Sequence, residues 1–148
     1  MRFIGLALAF ASFSAMACPN LSGSYARCVS ASGQGNTTDS VVTQSATGGV
    51  TTYTVTETDD ESGERSTTQV VADGVARTET DTSGDFPVTS VTTTSCQGDA
   101  LVINVVMSVS GTDIGNIDMN SQRSGNVLTH VMSGSIMGQE ISDTIVCQ

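Results

Sequence analysis

Leu101-Val102-Ile103-Asn104-Val105-Val106-Met107-Ser108-Val109 is the most apolar stretch of the chain after its first seventeen residues. Leu101, Ile103, Val105, Met107 and Val109 recur at period two, the spacing at which a strand presents one face. Val102 and Val106 alternate with Asn104 and Ser108 on the other face. This strand is therefore expected to be covered on one side and over part of the second. The same bias runs through the rest of the chain. Beyond residue 17 there are 21 Thr, 18 Ser, 17 Val and 6 Ile, against 3 Leu and no Lys. Branching at Cβ restricts χ1 and suits a pleated surface, whereas the residues that favour helices are scarce. The composition reads as an all-β domain.

Turn residues punctuate the chain every eight to twelve positions: Gly48-Gly49, Glu61-Ser62-Gly63-Glu64, Asp73-Gly74, Ser83-Gly84-Asp85, Gln97-Gly98-Asp99, Ser124-Gly125-Asn126 and Ser133-Gly134. Between them the spacing predicts strands near 22–31, 39–47, 50–59, 64–72, 75–82, 87–95, 100–110, 114–123, 126–133 and 139–147, with a loop over 31–38. Short hairpins following one another without a long crossover favour a single antiparallel up-and-down β-barrel of about 8–10 strands. A β-sandwich is the alternative. Closure would remove the exposed edges that so many short strands create.

The first strand adds a family likeness. Leu21-Ser22-Gly23-Ser24-Tyr25 resembles the opening strand of lipocalin-like barrels, in which a Gly-x-Trp places an aromatic at the closed end; Tyr25 stands where that family has Trp. The resemblance implies an antiparallel barrel that binds a small ligand or a protein partner. Leu21, Gly23, Tyr25 and Val29 are then expected to share the inward face.

Residues 1–17 have the layout of a signal peptide: Arg2, an apolar run from Phe3 to Ala11, and the small-residue end Ala15-Met16-Ala17. The expected organisation is a leader over 1–17 and one β-barrel domain over 18–148, exported to the periplasm or outside the cell. Without Arg2, four Arg face fifteen Asp and Glu, a net charge of −11. Nucleic acid is an unsuitable partner for such a surface. No second apolar run is long enough to span a membrane as a helix. With Tyr25, Tyr53 and Phe86 as the sole remaining aromatics, the girdles of an outer-membrane barrel are missing.

Cys18, Cys28, Cys96 and Cys147 all follow the leader, and an even number in an exported chain points to disulfides. The favoured pairing is Cys18–Cys28 with Cys96–Cys147. The alternative Cys28–Cys147 would join the first and last strands. Ala17-Cys18 also has the form of a lipid-attachment site, but Ala15 stands where a larger aliphatic is expected, and the first strand follows too closely to leave a tether. A lipid anchor at Cys18 is thus the less favoured reading.

The chemistry-bearing residues are few. His130 is the sole His and shares a strand face with Leu128 and Met132. It reads first as a half-buried strand histidine bonded to a neighbour, and second as a group that contacts a ligand in the lumen. No Gly-x-Ser-x-Gly elbow supports a triad and no Cys-x-x-Cys supports a metal, so neither an enzyme nor a cofactor is expected. The acidic run Thr56–Glu64 reads as a solvated hairpin tip, because its spacing departs from that of a calcium loop. Met107, Met119, Met132 and Met137, with Leu101, Ile103, Ile117, Leu128, Ile141 and Ile145, are the core candidates. If the lumen holds a small apolar ligand, its expected contacts are Tyr53, Met107, Met119, Leu128, His130 and Met132, since Met adapts to irregular shapes. The functional expectation is a binding module for a small apolar ligand or a protein partner. A structural or surface protein of adhesion or envelope type is the alternative, and open volume in the lumen discriminates the two.

Overall fold

Ten strands run β1 (Gly23–Ser30), β2 (Thr38–Thr47), β3 (Val50–Asp59), β4 (Arg65–Ala72), β5 (Arg77–Asp81), β6 (Val88–Gln97), β7 (Ala100–Val109), β8 (Thr112–Ser124), β9 (Val127–Ile136) and β10 (Gln139–Cys147). They belong to a computed structural model that describes residues 17–33, 35 and 37–148. The expected leader, apart from Ala17, lies outside the described residues.

The strands form one antiparallel sheet in the order β4-β3-β2-β1-β10-β9-β8-β7-β6-β5. Two meanders, β1–β4 and β5–β10, are joined where the first strand meets the last, and the sheet curls into a barrel-like half-shell. The remaining gap lies between β4 and β5, which are consecutive in the chain but do not pair. Their composition explains this. Residues 65–69 of β4 and all of β5 are exposed, and Arg77, Glu79 and Asp81 recur on one face of β5. Neither segment has an apolar row to bury by zipping together, and charged short edges resist pairing. The turn between them is held by its own contacts. Gly74 N donates to Thr94 O on β6 at 2.8 Å, and Arg77 pairs with Asp73 at 2.7 Å. The Arg77 guanidinium holds the Asp73 carboxyl down to a pKa of about 2.

Most hairpins are tight. Ser110-Gly111 and Met137-Gly138 each have positive φ at both central residues, the arrangement whose twist matches that of paired strands. Met137 is consequently 80% exposed and is not a core residue. Ser133-Gly134, read above as a turn, lies inside β9. A Cβ on Gly134 would stand 2.1 Å from Asn116 O, and one on Gly115 would stand 2.2 Å from Ser135 O. These glycines let β8 and β9 approach each other rather than reverse the chain.

β1 departs from its expected alternation. Its ladder with β2 shifts between Tyr25 and Cys28, and Arg27 takes φ 52° there. The Arg27 amide, turned off the ladder, donates to Asp39 Oδ1 at 3.1 Å. The extra residue turns Cys28 inward and Val29 outward, so that Val29 is 43% exposed instead of sharing the face of Tyr25. The shift also decides the disulfides. Val29 pairs with Val146 on β10, which sets Cys28 against Cys147 with Cα atoms 3.9 Å apart. Cys18 bonds Cys96. The pairing Cys18–Cys28 with Cys96–Cys147 is therefore corrected, and the alternative joining the first and last strands is the one observed.

The core sits at one end of the shell. Leu21, Tyr25, Val42, Tyr53, Leu101, Leu128 and Cys147 are buried, with Val55, Val70, Cys96 and Ile145 packed against them. The segment before β1 lies across this end and is held by side chains. Tyr53 Oη donates to Pro19 O at 2.7 Å, Tyr25 Oη donates to Leu21 O at 2.7 Å, and Arg123 Nη1 donates to Ser22 O. Gln44 Oε1 accepts from Leu21 N at 3.3 Å. The Tyr25 ring folds back over Gly23, where a Cβ would meet Cζ and Oη at 2.9 Å.

Tyr25 is 2% exposed, and truncating a buried aromatic costs about 3–5 kcal/mol. Tyr25→Ala is expected to lower the denaturant midpoint sharply. Ser24→Ala, on the exposed side of the same strand, is expected to shift stability by less than about 0.5 kcal/mol. Equal small effects in equilibrium unfolding would show that this end is not packed as described.

Candidate ligand-binding site

Register explains how the concave face is assembled. Leu101, Ser121, His130 and Ile145 stand opposite one another across β7, β8, β9 and β10. Ile103, Met119 and Met132 form the next row on the same side. From the other meander, Val42 faces Val55 across β2 and β3, and Val55 faces Thr68 across β3 and β4. Curling brings these rows face to face. Near the core end they touch. Further along, Val105, Met107, Ile117 and Ile141 are only half-buried.

Between the rows is a cavity of about 240 Å³. Its wall is largely apolar, from Leu21, Val42, Tyr53, Leu101, Met119 and Leu128 among others, and Glu57, Thr68, Ser121 and His130 supply its polar atoms. A second cavity of about 270 Å³ adjoins it, lined by Ser30, Thr38, Asp143 and the Cys28–Cys147 bridge. Glu57, His130 and Ile145 belong to both walls.

His130 Nδ1 and Ser121 Oγ are 2.7 Å apart, either donating according to the tautomer. Ser121 is buried, at 2% exposure. Burial pushes the imidazole pKa below its ordinary value and favours the neutral ring. Asp143 is held differently. Ser30 Oγ donates to it at 2.7 Å and Thr144 N at 2.8 Å. These donors, the Ser30 hydroxyl first, keep its carboxyl below the usual range. The Tyr53 hydroxyl, 2.7 Å from Pro19 O, has its pKa pushed up to about 12 by burial; burial raises that of Tyr25 as well.

Of the residues expected to contact a ligand, Tyr53, Met119, Leu128 and His130 line the first cavity. Met132 faces Met119 across the ladder but is not part of the wall. Met107 stands opposite Gly115, nearer the open end. Sequence reasoning missed Glu57, which was read as part of the hairpin tip. It lies within β3, opposite Ser40 and Ser66. The period-two series Tyr53, Val55, Glu57 could have placed it on the inward face. The tip itself is organised by Asp59, whose Oδ1 accepts from Glu61 N at 3.0 Å and Ser62 N at 2.6 Å.

No protein-family model, curated protein or solved structure matches the chain. Among the described residues no helix is long and apolar enough to cross a membrane.

The buried titratable groups set a pH window. Above about pH 6.5 His130 is neutral both folded and unfolded. As the pH falls through that value the unfolded chain takes up the proton first, so stability is lost toward acid. Tyr25 and Tyr53 act in the opposite direction: above about pH 10 the unfolded chain loses protons that the folded state retains, so stability is lost toward base. These are the sole tyrosines, so ultraviolet absorbance of tyrosinate is expected to rise only as circular dichroism reports unfolding. Tyrosinate forming near pH 10 in a fully folded protein would contradict their burial.

Proposed function

We propose that this protein is a binding module that takes a small apolar ligand into the concave side of its curled sheet. The reading is carried by one observation: against the core end, the face-to-face rows border an open, largely apolar cavity of about 240 Å³. Ligand sites are typically concave and mostly apolar, with a few convergent polar groups; here those are Glu57, Ser121 and His130. The volume is below the range of about 300–1,000 Å³ usual for drug-sized molecules, which suits a short aliphatic chain. A structural or surface role would require no such space.

The lipocalin-like likeness of the first strand supports the same reading, with Tyr25 closing one end and a mouth at the other. Two disulfides fit an oxidising compartment, periplasmic or extracellular. The Cys18–Cys96 bond engages the sulfur that a thioether-linked lipid would need, so the bridge and the anchor exclude each other. In this reading the protein acts free of the membrane.

Native mass spectrometry of the exported protein, purified without detergent, is expected to show the mature mass with a small molecule that denaturation releases. Met119→Trp, which fills the cavity, is expected to abolish the adduct without lowering the melting temperature. A wild-type protein that carries no adduct and whose melting temperature is unmoved by short aliphatic alcohols would contradict the proposal.

A further inference from the structure

We propose that the ligand is an amphiphilic cation, its aliphatic part in the apolar cavity and its ammonium head in the second cavity, against the carboxylates of Glu57 and Asp143. This rests on the binding-module reading and adds the chemical class of the ligand. The two cavities differ in character while sharing a wall. The first is bounded mostly by Leu, Val, Ile, Tyr and Met side chains. The second adds the Ser30 and Thr38 hydroxyls, the Asp143 carboxylate and the Cys28–Cys147 bridge, and shares Glu57, His130 and Ile145 with the first. Among the described residues neither wall contains Arg or Lys.

His130, at the boundary, adds no positive charge while it is neutral. A ligand spanning both spaces therefore meets apolar atoms at one end and only negative formal charge at the other. An anionic head would face like charges, the exposed Glu57 and the half-buried Asp143, and be repelled by both. A neutral head gains no charge interaction with the carboxylates, whereas an ammonium donates charge-assisted hydrogen bonds to them. The two carboxylates play different parts. Asp143 is fixed by the donors from Ser30 and Thr144, which aim it before any ligand arrives. The Glu57 side chain is exposed, and among the described residues no side chain donates to its carboxylate, so its oxygens are open to a donor from solution. A net charge of −11 on the exported chain draws cations toward the mouth as well.

Isothermal titration calorimetry with octylamine, octanol and octanoate at neutral pH separates the alternatives. Octylamine is expected to bind about tenfold more tightly than octanol, with octanoate weakest. Added salt is expected to weaken octylamine selectively, a readout that needs no variant. Glu57→Gln, with folding checked by circular dichroism, is expected to reduce the preference for octylamine over octanoate about tenfold. Octanol equalling octylamine, octanoate binding best, or a preference unmoved by both salt and Glu57→Gln would overturn the cation assignment and leave the apolar site standing. Binding of none of the three would overturn the binding-module reading itself.

Discussion

A short seam between the first and last strands makes one curled sheet out of two meanders. Val29 and Ser30 pair with Val146 and Ile145. Ala26 and Gln148 exchange backbone hydrogen bonds at 2.6 and 3.0 Å, and Ala31 N donates to Thr144 O at 2.7 Å. β8 and β9, by comparison, pair continuously from Gly115 to Ser124. A ladder this short is a weak joint for strands at opposite ends of the chain. The Cys28–Cys147 bond spans 119 residues of sequence at that joint. In the chain-entropy view, closing a loop of this size stabilises the folded state by about 4–5 kcal/mol, comparable with the whole net stability of many domains. Without the seam, neither meander has an opposing layer to bury its concave face.

The rest of the architecture follows from where that joint lies. Tyr25 and Tyr53 of the first meander lie at one end, where their hydroxyls donate to the Leu21 and Pro19 carbonyls. The Cys18–Cys96 bond ties the same segment to β6. That end is closed by this strap of the chain together with the three Leu beyond the leader and both Tyr, in a sequence that has no Trp. The space that remains borders this same end, since Leu21, Tyr53, Leu101 and Leu128 line the first cavity. The gap between β4 and β5 opens beside the same space, since Thr68 and Val70 of β4 line the first cavity.

Much of this was legible in the sequence because it is local. Alternation and turn residues located all ten strands, and the run from Leu101 to Val109 marked a central one. What was not legible depends on single-residue shifts. One bulge at Arg27 exchanges the faces of Cys28 and Val29, so counting by twos from Tyr25 placed Val29 inside, and the Cys28–Cys147 bond stood only as the alternative pairing. Gly134 has the composition of a turn, and the close approach that requires it involves Asn116, distant in sequence. Glu57 was obscured by the charges that follow it, although its spacing from Tyr53 and Val55 was in view. The site was only half readable for a related reason: period two names the inward residues of each strand, but which rows come face to face depends on the curl.

The central claim is that the first and last strands are neighbours, locked by Cys28–Cys147. Peptide mapping of the exported, unreduced protein by mass spectrometry tests it most directly. One linked pair containing Cys28 and Cys147 and a second containing Cys18 and Cys96 are expected. Linkage of Cys18 to Cys28 and of Cys96 to Cys147, or free thiols at Cys28 and Cys147, would contradict it.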